Sequence, residues 1–132
     1  MAIVVDTSVV LAVAANEPTK PALIRATVGE ELISPGSLAW EIGNALSAML
    51  KRRRITVDEA RAVITEYRRI PVRVIDVPVE ECVRLAAKLG IYAYDAYMIQ
   101  CAIVSGDPLL TLDVPLSEAA RRAGVRTVEI SP

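Results

Sequence analysis

At 132 residues, 53% of them hydrophobic and 23% charged, the chain has the size and composition of one folded domain and excludes a disordered or low-complexity protein. Its net charge of -1 exerts no long-range pull on a polyanion, so any nucleic-acid contact must be local. Histidine is absent, which excludes His-dependent triads, His-based acid–base catalysis and His-rich zinc sites and leaves carboxylates as the obvious catalytic material.

Residues 2–5 are a short continuous apolar run ending at Asp6-Thr7-Ser8, and 9–15 continues with helix-compatible residues, which reads as a buried strand turning into a helix. That second run is far below the ~20 apolar residues of a membrane helix, and no basic segment precedes it as in a signal peptide. A cytoplasmic protein without a membrane partner is expected. Pro18 and Pro21 precede a short helix at 22–28, and 31–34 reads as a brief strand stopped by Pro35 and Gly36.

From 37 to 53, Leu38, Ile42, Leu46, Met49 and Leu50 recur at helical spacing. Thr56 and Glu59 form a capping box for the next helix, whose inward face is Val57, Ala60, Ile64 and Tyr67. After Pro71, residues 72–75 predict a third strand and 78–89 a helix with Glu80 and Glu81 in its first turn and Gly90 past its end. Asp95 opens another helix, Gly106-Asp107-Pro108 is a turn, and 109–112 is a fourth strand. A short helix at 116–123 and a strand at 126–130 complete the pattern. Strands alternating with helices, and apolar on both faces, predict an α/β fold: a three-layer α/β/α sandwich with a mainly parallel central sheet of about five strands. One domain spanning 1–132 is expected. Cys82 and Cys101 have no metal-ligand spacing and lie on apolar helix stripes, as core thiols do.

Open parallel sheets bind ligands beyond the carboxyl ends of their strands. Asp6 and Asp113 lie at such ends, though helix capping or a turn would also explain each alone. Glu41 is followed at helical offsets by Asn44, Ala45 and Ala48, a small and polar face that suits either a shallow cavity or a solvated flank. Asp95 is followed by Met98, Ile99 and Ala102, which puts its carboxylate on the core side of a first helical turn, where it needs a partner. Two like charges at ~4 Å cost about 4 kcal/mol at an effective dielectric of 20, so converging acids must protonate or hold a cation. With oxygen ligands only, that cation is Mg²⁺ or Mn²⁺. Thr7 and Ser8 either cap the first helix or orient Asp6. Asp76, explained by a helix N-terminal role, and Asp107, inside a turn, are left out of the site.

Val5-Asp6-Thr7-Ser8, Trp40-Glu41-Ile42-Gly43-Asn44-Ala45-Leu46, Tyr94-Asp95-Ala96 and Leu110-Thr111-Leu112-Asp113, in that order, resemble the successive motifs of the PIN-domain ribonucleases, specifically the VapC-type toxins of prokaryotic toxin–antitoxin pairs. The resemblance covers nearly the whole chain. It implies a Mg²⁺- or Mn²⁺-dependent endoribonuclease, often dimeric, leaving 5′-phosphate and 3′-hydroxyl ends and neutralised by a small antitoxin over its active site. Its metal-binding and catalytic acids correspond to Asp6, Glu41, Asp95 and Asp113, with Thr7 or Ser8 and Asn44 as supporting polar groups. The alternative from another class is a non-catalytic PIN-like module that binds RNA or a protein, which metal affinity would discriminate.

Three basic groups are candidates for RNA contact: Lys51-Arg52-Arg53-Arg54, Arg68-Arg69 with Arg73, and Arg121-Arg122 with Arg126. Taken alone, the first two are better explained as cations that close helices and complement the C-terminal dipoles. The run Lys51, Arg52, Arg53, Arg54 is the expected RNA-backbone contact. The large apolar fraction of so small a chain also fits a homodimer or higher homo-oligomer.

Overall fold

A computed structural model describes residues 1–130. Strand β1 (Ala2–Val5) runs parallel to β2 (Glu31–Pro35) on one side and to β4 (Leu109–Leu110) on the other, and β3 (Val72–Ile75) adds in parallel to β2, giving the order β3-β2-β1-β4. Val4 stands opposite both Ile33 and Leu109 in this register. All three are fully buried, as the unbroken apolar runs of a sheet covered on both faces require.

The helices are α1 (Thr7–Ala14), α2 (Lys20–Thr27), α3 (Leu38–Lys51), α4 (Val57–Tyr67), α5 (Val79–Leu89), α6 (Ala93–Ser105) and α7 (Val114–Arg122). Because parallel crossovers are right-handed, stepping from β1 to β2 to β3 lays α1 to α4 on one face, and the return to β4 lays α5 and α6 on the other. The contacts agree: α1 packs on α2, α3 and α4, whereas α6 packs on α5 and across β1, β2 and β4. Ile42 of α3 enters the core from the first face; Met98 and Ile99 of α6 enter from the second. The chain therefore leaves β1 and β4, adjacent strands, toward opposite faces, the topology at whose carboxyl ends open parallel sheets bind ligands.

Several local expectations hold. Thr56 and Glu59 make both bonds of the capping box, at 3.1 and 3.0 Å. Gly90 and Gly106 take left-handed conformations, φ 69° and 73°, immediately after α5 and α6. Both cysteines are buried and free.

The sheet has four strands rather than five. Residues 126–130 contribute one parallel bridge, Thr127 to Leu109, flanked by bonds from Leu109 N to Arg126 O and from Val128 N to Leu109 O, both 2.9 Å. The reason is the brevity of β4, which stops at Leu110 because Leu112 N and Asp113 N donate to side chains instead of to a ladder. Helix α7 also begins two residues before the expected 116, and α6 begins at Ala93, ahead of Asp95. Among the described residues no helix is long and apolar enough to cross a membrane.

Candidate active site

Asp6 follows the last residue of β1 and is 5% exposed. Its Oδ1 accepts from Val9 N at 3.1 Å and from Ser8 Oγ at 2.6 Å, and its Oδ2 accepts from Thr111 Oγ1 at 2.5 Å. Asp6 itself is thus the N-cap of α1, so of the two roles open to Thr7 and Ser8 capping is overturned and orienting Asp6 is the one Ser8 takes. Their hydroxyls are directed elsewhere: Ser8 to Asp6, and Thr7 Oγ1 to Glu41 Oε1 at 3.3 Å.

Glu41 lies in the first turn of α3, where Ser37 Oγ one turn earlier donates to its Oε2 at 2.6 Å. Asp113 caps α7 by accepting from Leu116 N at 3.1 Å, and its own N–H donates to Thr111 Oγ1 at 3.0 Å. Asp95 lies in the first turn of α6, half-buried, while the cap position of that helix is Tyr92. Capping therefore does not account for the Asp95 carboxylate.

Burial and mutual charge shape the electrostatics of these acids. Burial pushes the Asp6 carboxyl above its ordinary value; the Ser8, Thr111 and Val9 donors oppose that, and the charge of Asp113 adds to it. Burial likewise raises Glu41 against the Ser37 and Thr7 hydroxyls, with Asp6 and Asp95 adding repulsion. Asp95 is raised by burial, then by Asp113 and Asp6, with no donor among the described residues to relieve it. Each of these three feels other members of the set. Among the described residues none of Asp6, Glu41, Asp95 and Asp113 pairs with a Lys or Arg.

Among the described residues no three carboxylates meet at metal-ligand distance. Asp6, Glu41 and Asp113 direct oxygens to hydroxyls and backbone N–H groups. The donor atoms of these four side chains are all oxygens, the chemistry of a hard divalent cation. The residues present fit such an ion.

Other expected members lie apart. Asn44 is exposed and makes no side-chain bond to these acids among the described residues. Lys51, Arg52, Arg53 and Arg54 are exposed at the other end of α3 from Glu41, about 15 Å along the axis for ten residues at 1.5 Å each. Asp76 is exposed and does not cap α5, whose cap position is Pro78. Asp107 follows the C-terminus of α6, the end away from Asp95. Two polar groups at the site, Thr111 and Ser37, escaped selection from sequence. Thr111 had a signal: it closes the apolar run two residues before Asp113 and is the one hydroxyl in Leu110-Thr111-Leu112-Asp113.

Residues 3–122 match the PIN domain family. The fold is similar to that of PAE2754 from Pyrobaculum aerophilum, with 28% identity, TM-score 0.66, and 90% of this chain and 87% of that one covered. It is similar to VapBC2 from Rickettsia felis, solved bound to a DNA fragment from its promoter, at 11% identity and TM-score 0.67 over 99% and 100% of the two chains. A third likeness is to VapC20 of Mycobacterium tuberculosis, a toxin that cleaves the sarcin-ricin loop, at 19% identity and TM-score 0.63 over 89% and 94%. No curated protein matches the sequence.

Proposed function

The chain belongs to the PIN domain family, and from that premise we propose that it is a divalent-metal-dependent endoribonuclease, the toxin of a VapBC-type toxin–antitoxin system acting in the cytoplasm as a single domain. The observation that carries the reading is that Asp6, Glu41 and Asp95 are each pushed up by burial and by the charge of other acids of the set, with no Lys or Arg paired to them among the described residues. Grouping uncompensated carboxylates costs stability unless a cation relieves it.

Asp6, Glu41, Asp95 and Asp113 would hold Mg²⁺ or Mn²⁺, which when bound supplies Lewis-acid activation of the scissile phosphate and of the attacking water. The chain's own part is positioning. Ser8 and Thr111 fix the plane of the Asp6 carboxylate from its two sides, and Ser37 and Thr7 do the same for Glu41. Asp95 accepts no such bond among the described residues, so its oxygens would be available to the ion. Lys51, Arg52, Arg53 and Arg54 would meet an RNA backbone only where it runs on along α3.

A small antitoxin and a second copy of the chain are the proposed protein partners. Trp40 at 76% exposure, lining a groove with the exposed Val79 and Tyr94, supports a protein-binding surface. That same surface, with acids that do not meet at ligand distance, favours the second reading of a non-catalytic binding module.

Cleavage of single-stranded RNA by the wild type with Mg²⁺, by the wild type with EDTA, and by Asp95→Asn with Mg²⁺ separates the two. The nuclease reading expects cutting in the first case alone; equal rates in all three would remove it.

A further inference from the structure

We infer that the cavity of about 300 Å³ between α7 and residues 126–130 is a subsite for the phosphate of an RNA nucleotide flanking the scissile bond, with Arg121 as the group that holds it. The inference rests on the nuclease reading and adds to it a place for the substrate's neighbouring nucleotide.

The cavity adjoins the candidate site: Thr111 and Asp113 form one end of its lining, and Ser117 and Arg121 carry it along α7. Asp113, Ser117 and Arg121 are four residues apart in succession, so they stand on one face of the helix. Eight residues place the Arg121 backbone about 12 Å along the axis from Asp113, and a long helical side chain leans back toward the N-terminus, shortening that gap. Val128 and Glu129 close the opposite wall.

The guanidinium is already engaged as it would be by an anion. Arg121 Nε donates to Thr127 Oγ1 at 3.2 Å and Nη2 to Glu129 Oε1 at 2.9 Å. That pair is exposed, 53% for Arg121 and 82% for Glu129, and an exposed ion pair contributes little. A phosphate offers the planar fork two charge-assisted acceptors where Glu129 now supplies one, so it displaces the carboxylate at small cost. Sharing a cavity with Asp113 distinguishes Arg121 from the run Lys51 to Arg54, which lies beyond the far end of α3.

The test is fluorescence anisotropy of the full chain with a fluorescein-labelled single-stranded RNA over a series of KCl concentrations, with EDTA present so that nothing is cut. Arg121→Ala is expected to weaken binding about two- to fivefold and to lower the slope of log K against log salt by about 0.7, one phosphate contact. Glu129→Gln is expected to tighten binding by a similar factor, a direction that damage to the fold would not produce. The subsite is overturned if Arg121→Ala changes neither affinity nor slope, if Glu129→Gln weakens binding as Arg121→Ala does, or if the wild type does not bind the RNA. Mg²⁺-dependent cutting with binding indifferent to Arg121 removes the subsite alone. Arg121-dependent binding without any cutting removes the nuclease reading and leaves an anion subsite.

Discussion

Thr111 Oγ1 donates to Asp6 Oδ2 at 2.5 Å across 105 residues of sequence, and the same hydroxyl oxygen accepts from Asp113 N at 3.0 Å. One side chain therefore links the acids that follow β1 and β4. Thr111→Val, which keeps the shape and loses the hydroxyl, is expected to lower metal affinity or RNA cleavage about 10- to 100-fold, as supporting partners of metal ligands do. Thr111→Ser should restore most of it, and isothermal titration with Mn²⁺ beside a cleavage assay reads both.

Raised carboxyls make the metal-free protein sensitive to pH. Asp6 and Asp95 are pushed above 3.8 and Glu41 above 4.5. In the folded chain these groups hold protons more tightly than when unfolded, so their contribution favours folding at low pH and is lost as pH rises from the unfolded values through the higher folded ones. Melting in EDTA should show that decline. Added Mg²⁺ should raise Tm at about pH 7 and much less at about pH 4, where protons compete for the ligands. A Tm indifferent to Mg²⁺ at the higher pH would contradict a metal site.

Charge removal gives a complementary result. Asp95→Asn takes away a half-buried carboxylate that has no hydrogen-bond donor among the described residues. In EDTA at neutral pH the variant should be at least as stable as the wild type while losing its stabilisation by Mg²⁺. A marked drop in Tm would mean that the carboxylate has a structural partner.

Ile99 lies one helical turn beyond Asp95 on α6 and is fully buried between that helix and the sheet. Ile99→Ala should cost about 2–5 kcal/mol in urea unfolding, the range for removing several buried methyl groups. A loss below about 1 kcal/mol would mean that the layer is less tightly packed than its burial indicates.

Burial pushes the Cys101 thiol up to about 12, and Cys82 is raised as well. The thiolate is the reactive form, so neither should react with a thiol reagent at about pH 8 until the chain unfolds. Rapid labelling of the native protein at either position would refute this.

The positions of the four acids were legible because each depends on a local pattern: Asp6 and Asp113 end apolar runs, and Glu41 and Asp95 have recognisable helix faces. Hydroxyl partners were not legible in the same way. Ser8 has equal local means to cap a helix or to bond a neighbour, and only the tertiary register that sets Val5 beside Leu110 brings Thr111 within reach. The alternation in 126–130 reads as a strand, yet a partner strand of two residues supplies only enough backbone for one bridge. Asn44 shows the limit of a helical wheel: three residues from Glu41, it still turns to solvent.

The shortness of β4 has a bearing on endurance. Thr111 and Asp113 hang from the part of the sheet with the fewest ladder bonds, joined to β1 at two positions and to 126–130 at one. Amide protons there should exchange by local opening well before those of β1 and β2, whose loss requires the whole core to come apart. On warming, the wall carrying these residues would let go while the remainder stays folded, so the proposed cleavage activity would fade at a lower temperature than the one at which the molecule melts.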